Sequence, residues 1–299
     1  MNSRKLGHIG RLSLIGATLL WGSSFVVLKT TLDSVPTLWV LALRFTGAAI
    51  LMGLASIRQL RRLDRGALKA GALMGLALYA AYTLQTFGLE QTTPGKNAFL
   101  TATYCVLVPF LWWAIERKRP DGWNLLAAAV CITGMALVSL SGDLSIGTGE
   151  ALTMCCGFFY ALHIIFTSKG VEHYGVGVLT TIQFTVAALL CWITAPLSAP
   201  FPETVPANAW LSIGYLCVFC TGVCYVLQTT GQKYTSPQTS SILLTLESVF
   251  GTVISVIFYH EQLTVRELAG FVLIFIAVII SETKLAFLRG RRPAGTPEV

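Results

Sequence analysis

Ten stretches of about twenty residues, each almost free of charge, run through this chain: 12–31, 36–57, 67–88, 95–115, 122–141, 149–168, 175–196, 208–230, 237–259 and 264–283. Wound as a helix at about 1.5 Å per residue, each is long enough to cross roughly 30 Å of hydrocarbon. Lipid offers backbone groups no water to bond, so only helices and closed barrels can span it. Barrel strands would alternate over short segments, whereas these stretches are continuously apolar. The expected class is therefore an all-α polytopic membrane protein with ten transmembrane helices. Composition agrees: 54% of residues are hydrophobic and only 12% charged, about half the charge of a soluble domain. The first stretch follows Arg4, Lys5 and Arg11 like a secretory signal. It is longer than a signal core and nine more follow, so it reads as a retained helix.

A net charge of +7 invites a nucleic-acid reading, but its placement argues against that. When loops are assigned alternately to two sides, only Lys29, Lys96 and Arg266 fall on one side and Arg44 lies inside a span. The other seventeen of the 21 Lys and Arg share the opposite side. Such bias marks the cytoplasmic face. Both termini are then expected inside a cell inner membrane, with lipid headgroups as the partner of the basic charge. The eight cysteines all lie in spans. Cys217, Cys220 and Cys224 share a helix face, but with no flanking His or carboxylate they read as small packing residues rather than metal ligands.

The chain also repeats itself. YTLQTFGLEQTTP from Tyr82 recurs as YVLQTTGQKYTSP from Tyr225, with seven of thirteen positions identical. RFTGAAIL from Arg44 recurs as QFTVAALL from Gln183. The offsets of 143 and 139 residues place five spans over five: a first repeat at 12–141 and a second at 149–283, followed by a basic cytoplasmic tail at 284–299 that reads as disordered. Five is odd, so the second repeat enters the membrane from the opposite side and the two are inverted. Inverted halves around a central site are the architecture of alternating access. The connection Pro196–Pro206 contains four prolines and is expected to be extended.

Polar residues inside spans are the candidates for chemistry. Glu247 follows Pro237 by ten residues, roughly 15 Å into its helix and near the midplane. A carboxylate there costs on the order of 3 kcal/mol on insertion scales, so it must face the bundle or water. It is a candidate to bind an amine-bearing substrate, a coupling proton, or each in turn; the alternative is a structural carboxylate. His163 is a second proton-coupling candidate, or a neutral interior donor. Arg44 reads as a structural charge that pairs with a carboxylate or caps carbonyls; a pair with Glu247 is open. Tyr82 and Gln85 with their repeats Tyr225 and Gln228 either line a symmetric cavity or bond across helices. Asn97, Thr101 and Tyr104 form a comparable stripe, and Tyr104 aligns with Glu247 at the offset of 143. Trp21, beside Gly22 and Ser24, either stacks on a substrate cation or packs. Glu116 and Glu261, at span ends, read as helix-end or gate contacts. No P-loop, metal-binding cluster or catalytic set is present, which argues against direct ATP use and against an enzyme.

These motifs together resemble the drug/metabolite transporter superfamily, in particular its EamA-type members. The resemblance rests on Trp21-Gly-Ser-Ser-Phe25, Leu41-Ala-Leu-Arg-Phe45, Thr93-Pro94 with Ala98-Phe-Leu100, Leu246-Glu-Ser-Val-Phe250 and His260-Glu-Gln-Leu-Thr264, and covers nearly the whole chain. It implies a ten-helix, two-repeat transporter of small metabolites, often an exporter, needing no cofactor, with a cavity lined chiefly by spans 1, 3, 4, 6, 8 and 9. One departure is Ser248: such proteins often carry proline there, so the local reason for a break in the ninth helix is missing. The resulting expectation is a secondary exporter of an amino acid or amine-like metabolite, proton-coupled, acting as monomer or homodimer; the alternative is a passive channel.

Overall fold

The computed structural model of the chain describes residues 3–61, 63–117, 119–139 and 147–283. The tail at 284–299 and the end of the first repeat lie outside the described residues. Among the described residues every regular element is helical. The first half comprises α1 (Ser3–Leu32), α2 (Thr37–Ala55), the single turn α3 (Ile57–Leu60), α4 (Arg65–Glu90), α5 (Pro94–Thr101), α6 (Tyr104–Glu116) and α7 (Gly122–Ser139). The second comprises α8 (Thr148–His173), α9 (Val176–Ser198), α10 (Ala207–Cys217), a π-helical segment (Val218–Val223), α11 (Cys224–Lys233), α12 (Pro237–Leu244), α13 (Leu246–Phe258) and α14 (Val265–Thr283). Counting consecutive pieces together, eight helical units among the described residues are long and apolar enough to cross a membrane by length and composition. The last helix of each half, α7 and α14, is apolar as well and packs on the other.

Two helices of the first half pack on their own counterparts in the second. Helix α2 runs antiparallel to α9, with Gly53 against Thr181 near one end and Trp39 against Trp192 at 5.4 Å near the other. Helix α7 likewise meets α14, where a Cβ on Gly134 would lie 2.7 Å from the Gly270 carbonyl. The phrase written twice in the sequence accounts for two further pairings. Its glycine is Gly88 in α4, packed on the start of α8, and Gly231 in α11, packed on the start of α1. A Cβ on Gly88 would sit 2.8 Å from the Gly149 carbonyl oxygen, and one on Gly231 2.9 Å from that of Gly10. The two backbones therefore approach closely at equivalent places in each half, which only a residue without a side chain permits. The end of the phrase is duplicated for a local reason. Thr93 and Ser236 are N-caps, accepting from the amides of Lys96 and Thr239, and Pro94 and Pro237 fill the first helical position.

Three features differ from the sequence expectation. The helix of α9 continues through Pro196 to Ser198, so only 199–206 is non-helical; a proline in the last turn sacrifices a single helical bond. Second, the ninth span is broken although Ser248 replaces proline. The break falls at Thr245, and hydroxyls make it: Thr245 Oγ1 donates to the Ile242 carbonyl at 2.6 Å and Ser248 Oγ to that of Thr245 at 2.6 Å. Such back-bonding draws carbonyls away from the helical ladder. The fourth span breaks at the equivalent place, Ala102–Thr103, where Thr103 Oγ1 donates to the Leu100 carbonyl at 2.7 Å. The third is the π-helical turn at Val218–Val223, held partly by Thr221 Oγ1 on the Leu216 carbonyl at 2.8 Å.

The two ends of the bundle are fastened differently. At one end Lys29 Nζ donates to the carbonyls of Leu89 (2.7 Å), Glu90 (3.0 Å) and Thr92 (3.0 Å), at the C-terminus of α4, where the helix dipole favours a cation. Beside it Glu261 accepts from Gly95 N at 3.0 Å and from the hydroxyls of Thr93 and Ser255, both at 2.5 Å. The 91–93 connection is thus held from both halves. At the other end Lys169 pairs with Glu116 at 2.5 Å.

Candidate functional site

A cavity opens where the two helix breaks face each other. Its wall is formed by Trp21, Ser24, Phe25, Tyr82, Gln85, Tyr104, Tyr160, Ile164, Tyr225, Gln228, Leu244 and Glu247. Ten of these twelve are mirror pairs between the halves. Trp21 and Tyr160, and Phe25 and Ile164, are related by the offset of 139; Tyr82 and Tyr225, Gln85 and Gln228, and Tyr104 and Glu247 by that of 143. The duplication therefore built the wall twice, around an axis between the halves. The volume is about 30 Å³, well below the roughly 300–1,000 Å³ of ligand pockets, so an organic molecule enters only as the rings separate.

One mirror pair differs in charge, and its members touch. Tyr104 and Glu247 begin the half-helices after the two breaks, and Tyr104 OH donates to Glu247 Oε1 at 3.1 Å. Both are buried. The rings form a connected set: Trp21 lies edge-on to Tyr225 at 5.0 Å, Tyr82 to Tyr160 at 5.7 Å, and Tyr104 to Tyr160 at 6.2 Å.

Most polar atoms of the wall are bonded within the protein. Gln85 Nε2 donates to Thr101 Oγ1 at 2.9 Å, and Gln85 Oε1 accepts from Tyr160 OH at 2.8 Å. Asn97 and Thr101 stand behind Gln85 rather than in the wall. Asn97 Nδ2 reaches the Gln85 carbonyl at 3.0 Å and Thr153 Oγ1 at 2.8 Å. Gln228, the mirror of Gln85, is only 2% exposed and its Oε1 has no partner among the described residues. His163 also stands outside the wall, behind Tyr225, with Nε2 2.7 Å from Gln183 Oε1.

Arg44 is fully buried and makes no bond to Glu247 among the described residues. Its guanidinium lies 4.7 Å over the Tyr82 ring, and it donates to Tyr82 OH at 3.2 Å, to Thr221 Oγ1 and to the Cys220 carbonyl at 3.0 Å. That carbonyl is in the π-helical turn, and it also accepts from Trp21 Nε1 at 2.8 Å. Wide turns of this kind leave carbonyls with capacity outside the helical ladder. Through this one oxygen Arg44 and Trp21 share a support, so a residue outside the cavity orients two of its rings. Sequence reasoning missed Tyr160, although its place 139 residues after Trp21 was a usable signal. It also missed the π-helical turn, which leaves no mark in composition.

With this geometry in view, comparison with known proteins is specific. The EamA-like transporter family pattern matches the chain twice, at residues 8–140 and 147–283. The chain belongs to the EamA-like transporter family. An uncharacterized transporter of Archaeoglobus fulgidus is 30% identical to it over 90% of this chain and 84% of its own length. Protein PecM of Dickeya dadantii is 25% identical over 92% and 93%, and an inner membrane transporter of Escherichia coli K12, YedA, 24% identical over 69% of each. A solved crystal structure superposes with a TM-score of 0.75 at 15% identity, over 94% of this chain and 99% of the other, which supports the fold alone. As an EamA member the protein is a multi-pass membrane transporter.

Proposed function

We propose that this EamA protein is a secondary transporter that exports a small amine-bearing organic metabolite across the cell inner membrane by alternating access, coupled to protons through Glu247. One observation carries the reading: a cavity made of mirror pairs, at the level of two helix breaks, holds a single carboxylate. Inverted halves that share such a cavity can open it to either side in turn. A carboxyl group there can exchange a proton for a cation, and the surrounding rings offer faces to the cation. In this reading both termini are cytoplasmic, and the end gripped by Lys29 and Glu261 is the outer one.

Two measurements test it. A cysteine at Lys96 should react with an impermeant reagent added outside cells, and one at Lys233 only after permeabilisation, over the background of the native cysteines. Reaction of both from one side would remove the inverted arrangement. In proteoliposomes, a panel of amines and amino acids should yield a saturable substrate that exchanges by counterflow and whose accumulation is driven by an imposed pH gradient. Flux without saturation or counterflow would instead indicate a channel.

A further inference from the structure

The donors and acceptors of the cavity are unequally spent. Trp21 Nε1 donates to the Cys220 carbonyl, Ser24 Oγ to the Trp21 carbonyl at 2.7 Å, Tyr160 OH to Gln85, and Tyr104 OH to Glu247. Two acceptors of the same wall keep capacity for a further donor: the Glu247 carboxylate and the unpartnered Gln228 Oε1. A buried carbonyl oxygen left without a donor costs about 1–3 kcal/mol, so this atom is poised for an N–H from outside the protein. No Lys, Arg or His is in the wall. The nearest described cation, Arg44, stands behind Tyr82 with its face against that ring and its Nε and one terminal nitrogen bonded to protein. A substrate carboxylate would therefore share a small cavity with Glu247 and meet no cation there.

We propose that the cavity selects a protonated amine that bears at least two N–H groups and no carboxylate, one N–H held by Glu247 and another by Gln228 Oε1, with its hydrocarbon between the tyrosine and tryptophan rings. The selection rests on the transporter reading above and narrows it. An α-amino acid is rejected because its carboxylate faces Glu247 unpaired. A quaternary ammonium is discriminated against because it has no N–H for either acceptor, although the rings attract its charge. Gln228 is thus a specificity-determining residue, and its mirror Gln85 is not, because both ends of the Gln85 amide are already bonded.

The test uses the full-length protein in liposomes and two matched sets of probes: isopentylamine, leucine and N,N,N-trimethylisopentylammonium; and 2-phenylethylamine, phenylalanine and N,N,N-trimethyl-2-phenylethylammonium. In at least one set the primary amine is expected to bind and exchange at least about tenfold better than both companions, the effect of one hydrogen bond to a charged group. In Gln228→Met the preference over the trimethyl compound should fall by at least about threefold, the bond to Glu247 being kept, with the thermal midpoint reporting that the variant is folded. Gln232→Met, which removes a buried glutamine with an equally unpartnered Oε1 outside the wall, should keep the preference. An amino acid or trimethyl probe that equals or exceeds the primary amine overturns the proposal, as does binding of none of the six. If an amino acid wins and counterflow persists, only the selection fails; if no compound of the wider panel shows counterflow, the transporter reading fails with it.

Discussion

Glu247→Gln should abolish coupled transport. The amide is nearly the same size and still offers Tyr104 an acceptor where the carboxylate received its hydroxyl at 3.1 Å, so the helix break and the wall should survive. What disappears is the only carboxylate of the cavity wall, and with it both the charge opposite a substrate cation and the group that carries a proton. Losing one charge-assisted hydrogen bond weakens binding by about 1.5–3 kcal/mol, roughly 10- to 100-fold. Accumulation driven by a pH gradient should stop, and residual exchange should no longer vary with pH. Transport and pH dependence both equal to the parent would remove Glu247 from the mechanism and leave it a structural carboxylate.

Gly231→Val should prevent assembly of the second half against the first. The new Cβ would lie 2.6 Å from Leu14 Cγ and 2.9 Å from the Gly10 carbonyl oxygen. A side chain can turn away; a main-chain oxygen within α1 moves only with its helix. Overpacking of this kind costs about 1–3 kcal/mol when neighbours relax, and more when backbone must shift. Gly88→Val should behave alike, because its Cβ would meet the Gly149 carbonyl at 2.8 Å. The control is Gly214→Ala in α10, where nothing lies within 4 Å of the added atom. The yield of monodisperse protein and its thermal midpoint in detergent should fall sharply for both valine variants and stay level for the alanine. A Gly231→Val protein as stable as its parent would show that the helices do not meet as closely as described.

Much of this was legible because duplication leaves its trace in residue identity. The phrase shared by Tyr82 and Tyr225 foretold equivalent positions, and the structure brings Tyr104 against Glu247, residues linked beforehand only by an offset. The apolar stretches set out the helices because lipid leaves the backbone no other choice. Legibility stopped where geometry depends on one hydroxyl or one carbonyl. Proline is a visible signal for a helix break, but Thr245 and Ser248 make the same break by back-bonding, and serine and threonine are too common in helices to announce it. The destination of Arg44 was hidden for a similar reason. Its acceptor at Cys220 is released by a π-helical turn with no counterpart in α4, the equivalent helix of the first half. The spent and unspent ends of Gln85 and Gln228 were likewise invisible, because identical residues at mirror positions acquire different neighbours.

The pairing of α2 with α9 and of α7 with α14 has a mechanical corollary. When two inverted halves trade shapes, an interface between unlike members is converted into its reflection, as the Gly88 seam becomes the Gly231 seam. An interface between a helix and its own twin maps onto itself and can remain intact throughout the stroke. Those two seams can therefore act as fixed bearings about which the rest of the machine turns.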